Sequence, residues 1–127
     1  MFKNKTQEQF DYEFKFELSL QRRFIESEKV RKNYKDRVAV IIERSTVESS
    51  LPVLEQTKFL IPIDYTYGQF QAFLRKKLSL EKKDSLFIYF STNKLQSHNK
   101  LMGQVYEQCK DEDGFLYCKY AGIEIYG

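Results

Sequence analysis

Lys58-Phe59-Leu60-Ile61-Pro62, followed three residues later by Thr66-Tyr67-Gly68-Gln69-Phe70, decides how this chain folds. The first run is short, apolar and closed by a proline, which reads as a strand. Proline has no N–H to give to a ladder, so it is tolerated at a sheet margin and not within. This strand is therefore an edge. In the second run a threonine precedes a glutamine by three positions, the reciprocal capping box that opens a helix. Phe70, Phe73, Leu74 and Leu78 then recur at helical spacing, and Arg75, Lys76 and Lys77 gather at the carboxyl end, where cations suit the helix dipole.

Ahead of the edge, Arg37 to Arg44 is a continuous β-branched run, the pattern of a buried strand. The polar residues 45–50 and Leu51-Pro52 connect the two strands as a hairpin with a long loop. Beyond the helix, residues 86–90 read as a third strand, ended by the turn signal Ser91-Thr92-Asn93. Leu101, Met102, Val105, Tyr106 and Cys109 mark a second core helix. Asp111-Glu112-Asp113-Gly114 is a tight turn, residues 115–120 are a fourth strand, and residues 121–127 form an extended tail.

The amino-terminal part reads differently. Residues 1–9 are a polar, flexible extension, and Phe10, Phe14 and Leu18 share one face of a short helix over 10–18. Ser19 caps a second helix whose inner stripe is Leu20, Phe24, Ser27 and Val30, with Arg22, Arg23, Lys29, Arg31 and Lys32 facing outward. The expected organisation is an extension (1–9), a helical subdomain (10–34), a body (35–120) and a tail (121–127). Strand, strand, helix, strand, helix, strand is an order that suits a mixed sheet with a helix across one face. The expected class is α+β: a β-grasp (ubiquitin-like) four-stranded mixed sheet with two additional N-terminal helices.

Composition narrows the function. With 127 residues, 42% apolar and 31% charged, the chain has the balance of one globular domain. No apolar run is long enough to span a bilayer, and Met-Phe-Lys-Asn-Lys at the amino terminus is neither a signal peptide nor a myristoylation site. Two cysteines, Cys109 and Cys118, make no disulfide framework and no Cys-x-x-Cys zinc pair. His98 is the only histidine, and no phosphate-binding or metalloprotease motif occurs. An enzyme is not expected, nor a metal or cofactor. Between Arg22 and Arg37 seven basic residues meet three acidic ones, whereas residues 45–127 carry ten of each sign. Such a face attracts acidic peptides, anionic lipid or nucleic acid, and it serves equally as a plain solvated helix face.

From Phe14-Lys15-Phe16-Glu17 to the end, the chain resembles the lipid-conjugated ubiquitin-like modifiers of autophagy, of the GABARAP and microtubule-associated light-chain type. The most specific stretches are Lys58-Phe59-Leu60-Ile61-Pro62, Thr66-Tyr67-Gly68-Gln69-Phe70, Leu74-Arg75-Lys76-Lys77, Asp111-Glu112-Asp113-Gly114-Phe115-Leu116-Tyr117 and the terminal Tyr126-Gly127. The resemblance implies two helices ahead of a β-grasp body. It also implies that Gly127 is adenylated, passed through thioesters on activating and conjugating enzymes, and joined to phosphatidylethanolamine. A deconjugating cysteine protease can release the lipid-linked form. The family works in the cytoplasm, on autophagosome membranes and, after fusion, in the vacuole or lysosome. Glycine at the tail also makes sense chemically, since an unhindered carboxylate without a neighbouring Cβ enters a narrow channel. The chain carries no residues past this glycine, so it reads either as ready for activation or as already processed.

The resemblance further implies binding of cargo receptors and adaptors through aromatic-x-x-aliphatic peptides. Glu26, Val30, Ala39, Ile41, Lys58, Leu60 and Phe115 would line a first pocket for the aromatic side chain. Phe59, Ile61, Pro62, Tyr65, Phe70 and Phe73 would line a second for the aliphatic one. Arg37 and Lys77, with the basic helix face, would meet acidic flanks. Several of these residues also suit ordinary core packing. Ala39 replaces the usual proline, and Tyr65 and Phe73 replace smaller aliphatics, so the second pocket should favour small side chains. Two alternatives stay open: a protein-conjugated modifier, and an unconjugated adaptor whose basic helices bind tubulin or lipid. Nucleic acid is not an expected partner, because the aromatics follow core periodicity.

Overall fold

The computed structural model describes residues 11–91 and 96–125. The elements are α1 (Glu13–Glu17), α2 (Leu20–Asn33), β1 (Arg37–Arg44), β2 (Lys58–Pro62), α3 (Tyr67–Lys77), β3 (Phe87–Phe90), α4 (Met102–Cys109) and β4 (Leu116–Ala121). The four strands form one sheet in the order β2-β1-β4-β3. β1 pairs antiparallel with β2 and parallel with β4, and β3 closes antiparallel on β4. This is the mixed sheet expected, with β1 and β4 central. Their burial accounts for the continuous apolar runs.

Alternation along the strands divides the interior into two layers. Val38, Val40 and Ile42 of β1 join Phe59, Ile61, Phe70, Leu74, Met102 and Val105 in the larger layer, beneath α3 and α4. Ala39 and Ile41 join Tyr12, Phe115 and Tyr117 in the smaller one, beneath the amino-terminal helices. The capping box at α3 forms as read: Thr66 Oγ1 accepts from Gln69 N–H at 3.1 Å, and Gln69 Oε1 from Thr66 N–H at 2.8 Å.

The amino-terminal reading needs three corrections. The first helix is shorter than 10–18, and Phe10 lies outside the described residues. Its Glu13 and Phe14 N–H groups donate to the Glu43 carboxylate at 2.9 and 3.0 Å, and burial raises the Glu43 pKa despite those bonds. Second, Ser27 and Val30 of the expected stripe face inward, but Leu20 and Phe24 are half-exposed. Third, Arg23 is buried rather than outward. Its Nε donates to Asp113 Oδ2 at 2.8 Å, and its Nη1 donates to the Lys15 and Leu18 carbonyls. The stripe was drawn through the apolar residues, and hydrophobicity does not register a cation buried against a partner.

Asp113 is the other half of that arrangement. Fully buried, it also accepts from Tyr117 OH at 2.5 Å and Phe115 N–H at 2.9 Å, and its carbonyl accepts from Ser27 Oγ. Burial and the neighbouring Asp113 push the Tyr117 hydroxyl far above its ordinary pKa. Gly114 follows at φ +91°, and a Cβ there would collide with the Ser27 side chain, so the turn demands glycine.

The carboxyl end is tied down further than an extended tail suggests. Ala121 completes β4, Gly122 N–H donates to Glu48 Oε2 at 2.7 Å, and Ile125 is buried with its N–H on Tyr89 OH at 3.0 Å. Tyr126 and Gly127 lie outside the described residues.

Candidate functional site

β2 occupies one margin of the sheet, and among the described residues no strand pairs with its outer side. Ile42 N–H donates to the Thr57 carbonyl at 2.9 Å and Ile63 N–H to the Asp36 carbonyl at 3.0 Å, which fixes the bonded pairs of the β1–β2 ladder. Antiparallel pairing alternates, so Phe59 and Ile61 turn their backbone groups toward β1, and Lys58 and Leu60 turn theirs outward. Gln56 Nε2 donates to the Lys58 carbonyl at 2.5 Å, and Arg37 Nη1 reaches the Leu60 carbonyl at 3.5 Å. Both donors are exposed side chains, which an incoming strand can displace.

Side chains alternate on the same register. Lys58 and Leu60 stand opposite Ile41 and Ala39 on the α2 face, and Phe59 and Ile61 belong to the α3 face. Of the first expected group, Ile41, Ala39 and Phe115 form a buried floor, with Val30 and Leu60 half-buried above it. Glu26 Oε2 and Lys58 Nζ, 3.9 Å apart, reach across from α2 to β2. Phe14 of α1 stands edge-on to Phe115 with ring centres 5.2 Å apart. Sequence reasoning did not place Phe14 or Tyr12 here; their aromatic character just before α2 was the available signal.

In the second group Ile61, Phe59 and Phe70 are buried, and Pro62, Tyr65 and Phe73 supply the half-buried surface. The Phe73 ring meets Phe59 edge-to-face at 5.6 Å and stacks on Phe70 at 6.4 Å. Lys77 Nζ lies 5.7 Å from the Phe73 ring centre. Arg37 thus lies beside Leu60 and Lys77 beside Phe73. Along β2 the two groups take alternate residues, Lys58 and Leu60 on the α2 face and Phe59 and Ile61 on the α3 face, and Pro62, opposite Arg37, closes the strand with the parity of Leu60.

Burial holds the Cys118 thiol well above its ordinary pKa and thus protonated. Among the described residues, no cluster of three or more His, Cys, Asp or Glu side chains is arranged to hold a metal, and no helix is long and apolar enough to cross a membrane.

Residues 22–127 match the family model described as autophagy protein Atg8, ubiquitin-like. The chain belongs to the Atg8 family. Autophagy-related protein 8c of Arabidopsis thaliana is 41% identical over 114 residues, 90% of this chain and 94% of the relative. Autophagy-related protein 8A of Oryza sativa subsp. indica is 40% identical over the same coverage. The crystal structure of Trypanosoma brucei ATG8 is similar at a TM-score of 0.81 and 37% identity, covering 92% of this chain and 99% of that one. The Atg8 resemblance and the ubiquitin-like fold read from the sequence both hold.

Proposed function

We propose that this Atg8-family protein is a modifier rather than an enzyme, joined through Gly127 to phosphatidylethanolamine, and that it recruits cargo receptors and adaptors by their aromatic-x-x-aliphatic motifs. The observation that carries the motif-binding half is the edge itself. A peptide added to a sheet margin gains main-chain hydrogen bonds, and its side chains alternate between faces. Anchors three positions apart must then point to opposite faces, and the two candidate pockets straddle β2 in that way. The Lys58–Leu60 end serves the aromatic anchor and the Pro62–Tyr65 end the aliphatic one, so the guest runs in the direction of β2.

Two buried anchors contribute roughly 1.5–3 kcal/mol each, and association costs remove much of that. Affinities on the order of micromolar follow, effective where many copies share one membrane. In peptides varied only at the aliphatic position, small aliphatics should bind best, because Tyr65 and Phe73 fill the second site. Strongest binding by the bulkiest side chain, measured by calorimetry, would count against that account.

Conjugation is tested at the tail. In cells with the lipidation enzymes, the wild-type terminal peptide should gain the mass of phosphatidylethanolamine, and Gly127→Ala should lose both the mass and the membrane puncta. A lysine-linked peptide mass instead would make the protein a protein-conjugated modifier. Puncta unchanged by Gly127→Ala would favour an unconjugated adaptor working through its amino-terminal helices, where Phe16, Leu20, Phe24 and Ile25 are exposed among basic residues. Association with autophagosome membranes, and delivery to the vacuole or lysosome with them, follow from the conjugated form.

A further inference from the structure

The chain past β4 does not run straight on from the sheet. Ala121 is the last ladder residue, paired with Phe87, and the backbone bends at residues 122 and 123. The tail then meets Tyr89, which the register places opposite Lys119, two positions before Ala121. It has therefore doubled back along β3. Ile88 and Phe90 pack into the larger layer, so Tyr89 between them stands on the other face of this rim strand. Its hydroxyl accepts the Ile125 N–H at 3.0 Å. The Ile125 side chain is buried there, whereas Ile123 is exposed.

The root of the tail is fixed separately. Gly122 N–H donates to Glu48 Oε2 at 2.7 Å, and Oε1 of the same carboxylate accepts the Ser50 N–H at 2.5 Å. A Cβ at Gly122 would collide with the Ser50 hydroxyl and press on Leu51, so glycine lets the chain turn this close to the β1–β2 loop. The two holds differ in kind. The root is tied sterically and by a charged acceptor, and Ile125 by one neutral hydrogen bond and one buried side chain. Opening a terminal segment held in the second way costs far less than unfolding the sheet.

Reach decides what each hold does. In the proposed conjugation a Gly127 carboxylate oxygen attacks the α-phosphate of ATP and pyrophosphate leaves; an enzyme thiolate then displaces AMP to give the thioester. The carboxylate must enter a channel narrow enough to favour glycine, and the two residues after Ile125 are too few to thread one while the body stays outside. Released at Tyr89 and held at Glu48, the tail offers five residues past Gly122, about 17 Å at full stretch. From this we infer that Tyr89 is a latch on the conjugation tail and a positioning residue for its activation: the closed form withholds Gly127, and the open form, pivoting at Gly122, presents it. The inference rests on the conjugation reading and adds regulation to that site. An enzyme that takes only the open form meets the opening equilibrium in its apparent affinity and not in its turnover.

Tyr89→Phe keeps the ring and removes the hydroxyl. Amide hydrogen exchange at Ile125, followed by NMR, should quicken about fivefold at an unchanged melting midpoint, the population change that one neutral hydrogen bond accounts for. With purified activating enzyme and ATP, thioester formation by the full chain should show KM lowered about fivefold at unchanged kcat. That sign belongs to a latch: a hydroxyl recognised by the enzyme would raise KM on removal, and one that merely supports the fold would lower the melting midpoint. Unchanged exchange at Ile125, or a KM equal to or above that of the wild type, overturns the latch and leaves conjugation standing. If neither protein forms a thioester, conjugation through Gly127 falls, and the latch with it.

Discussion

Asp113→Ala is expected to cost about 3–5 kcal/mol, lowering the thermal midpoint by about 10–20 °C for a chain of this size. The reason is the company that carboxylate keeps. Its side chain is fully buried, and it answers a guanidinium that is only 9% exposed, a phenol and a backbone N–H. Removing it leaves a largely buried cation with only the Lys15 and Leu18 carbonyls as acceptors and no counter-charge, and orphans the Tyr117 and Phe115 donors. Arg23→Met should be milder, since Tyr117 OH and Phe115 N–H still satisfy the carboxylate that remains. Urea denaturation of the two variants checks the order. A loss below about 1 kcal/mol for Asp113→Ala would show that this constellation does not hold the amino-terminal helices to the sheet, and a reversal of the two would show that the unpaired carboxylate is the costlier orphan.

The second large effect is on peptide binding, and it isolates one backbone N–H. Leu60 turns its N–H away from β1, so proline there removes no ladder bond. It does remove a donor that a guest strand needs, and it leaves a guest carbonyl unsatisfied. Leu60→Ala loses only the side chain over the first pocket. Leu60→Pro should therefore bind an aromatic-x-x-aliphatic peptide about tenfold more weakly than Leu60→Ala, with both variants unfolding cooperatively. Equal affinities would mean that peptides meet this surface through side chains alone.

Much of this was legible in the residues because the signals were local. The capping box at Thr66, the proline ending β2 and the apolar continuity of β1 each act within a few positions, and each element appears where those signals put it. Elements at the amino terminus were harder because their determinants are distant. Arg23 is inward on account of Asp113, ninety positions away, and α1 is capped by Glu43, thirty positions away from Glu13. The candidate pockets were named by resemblance, since Ile41, Phe70 and Phe115 satisfy a core pattern as fully as a binding pattern. What the residues could not reveal was a cleft between the end of α2, the start of β1 and α4, whose walls come from residues far apart in the chain, from Ser27 to Gly114.

The moored Ile125 has a consequence for how the molecule would hang from a bilayer. Gly127 is only two residues beyond it, so a lipid joined there is on a leash of about 7 Å at full stretch. The mooring post is Tyr89, in β3, at the opposite rim of the sheet from β2. Three strand spacings, about 14 Å, separate the two rims. Were the protein conjugated as proposed, so short a leash would keep its β3 side near the headgroups and leave the β2 rim, across the sheet, open to guests.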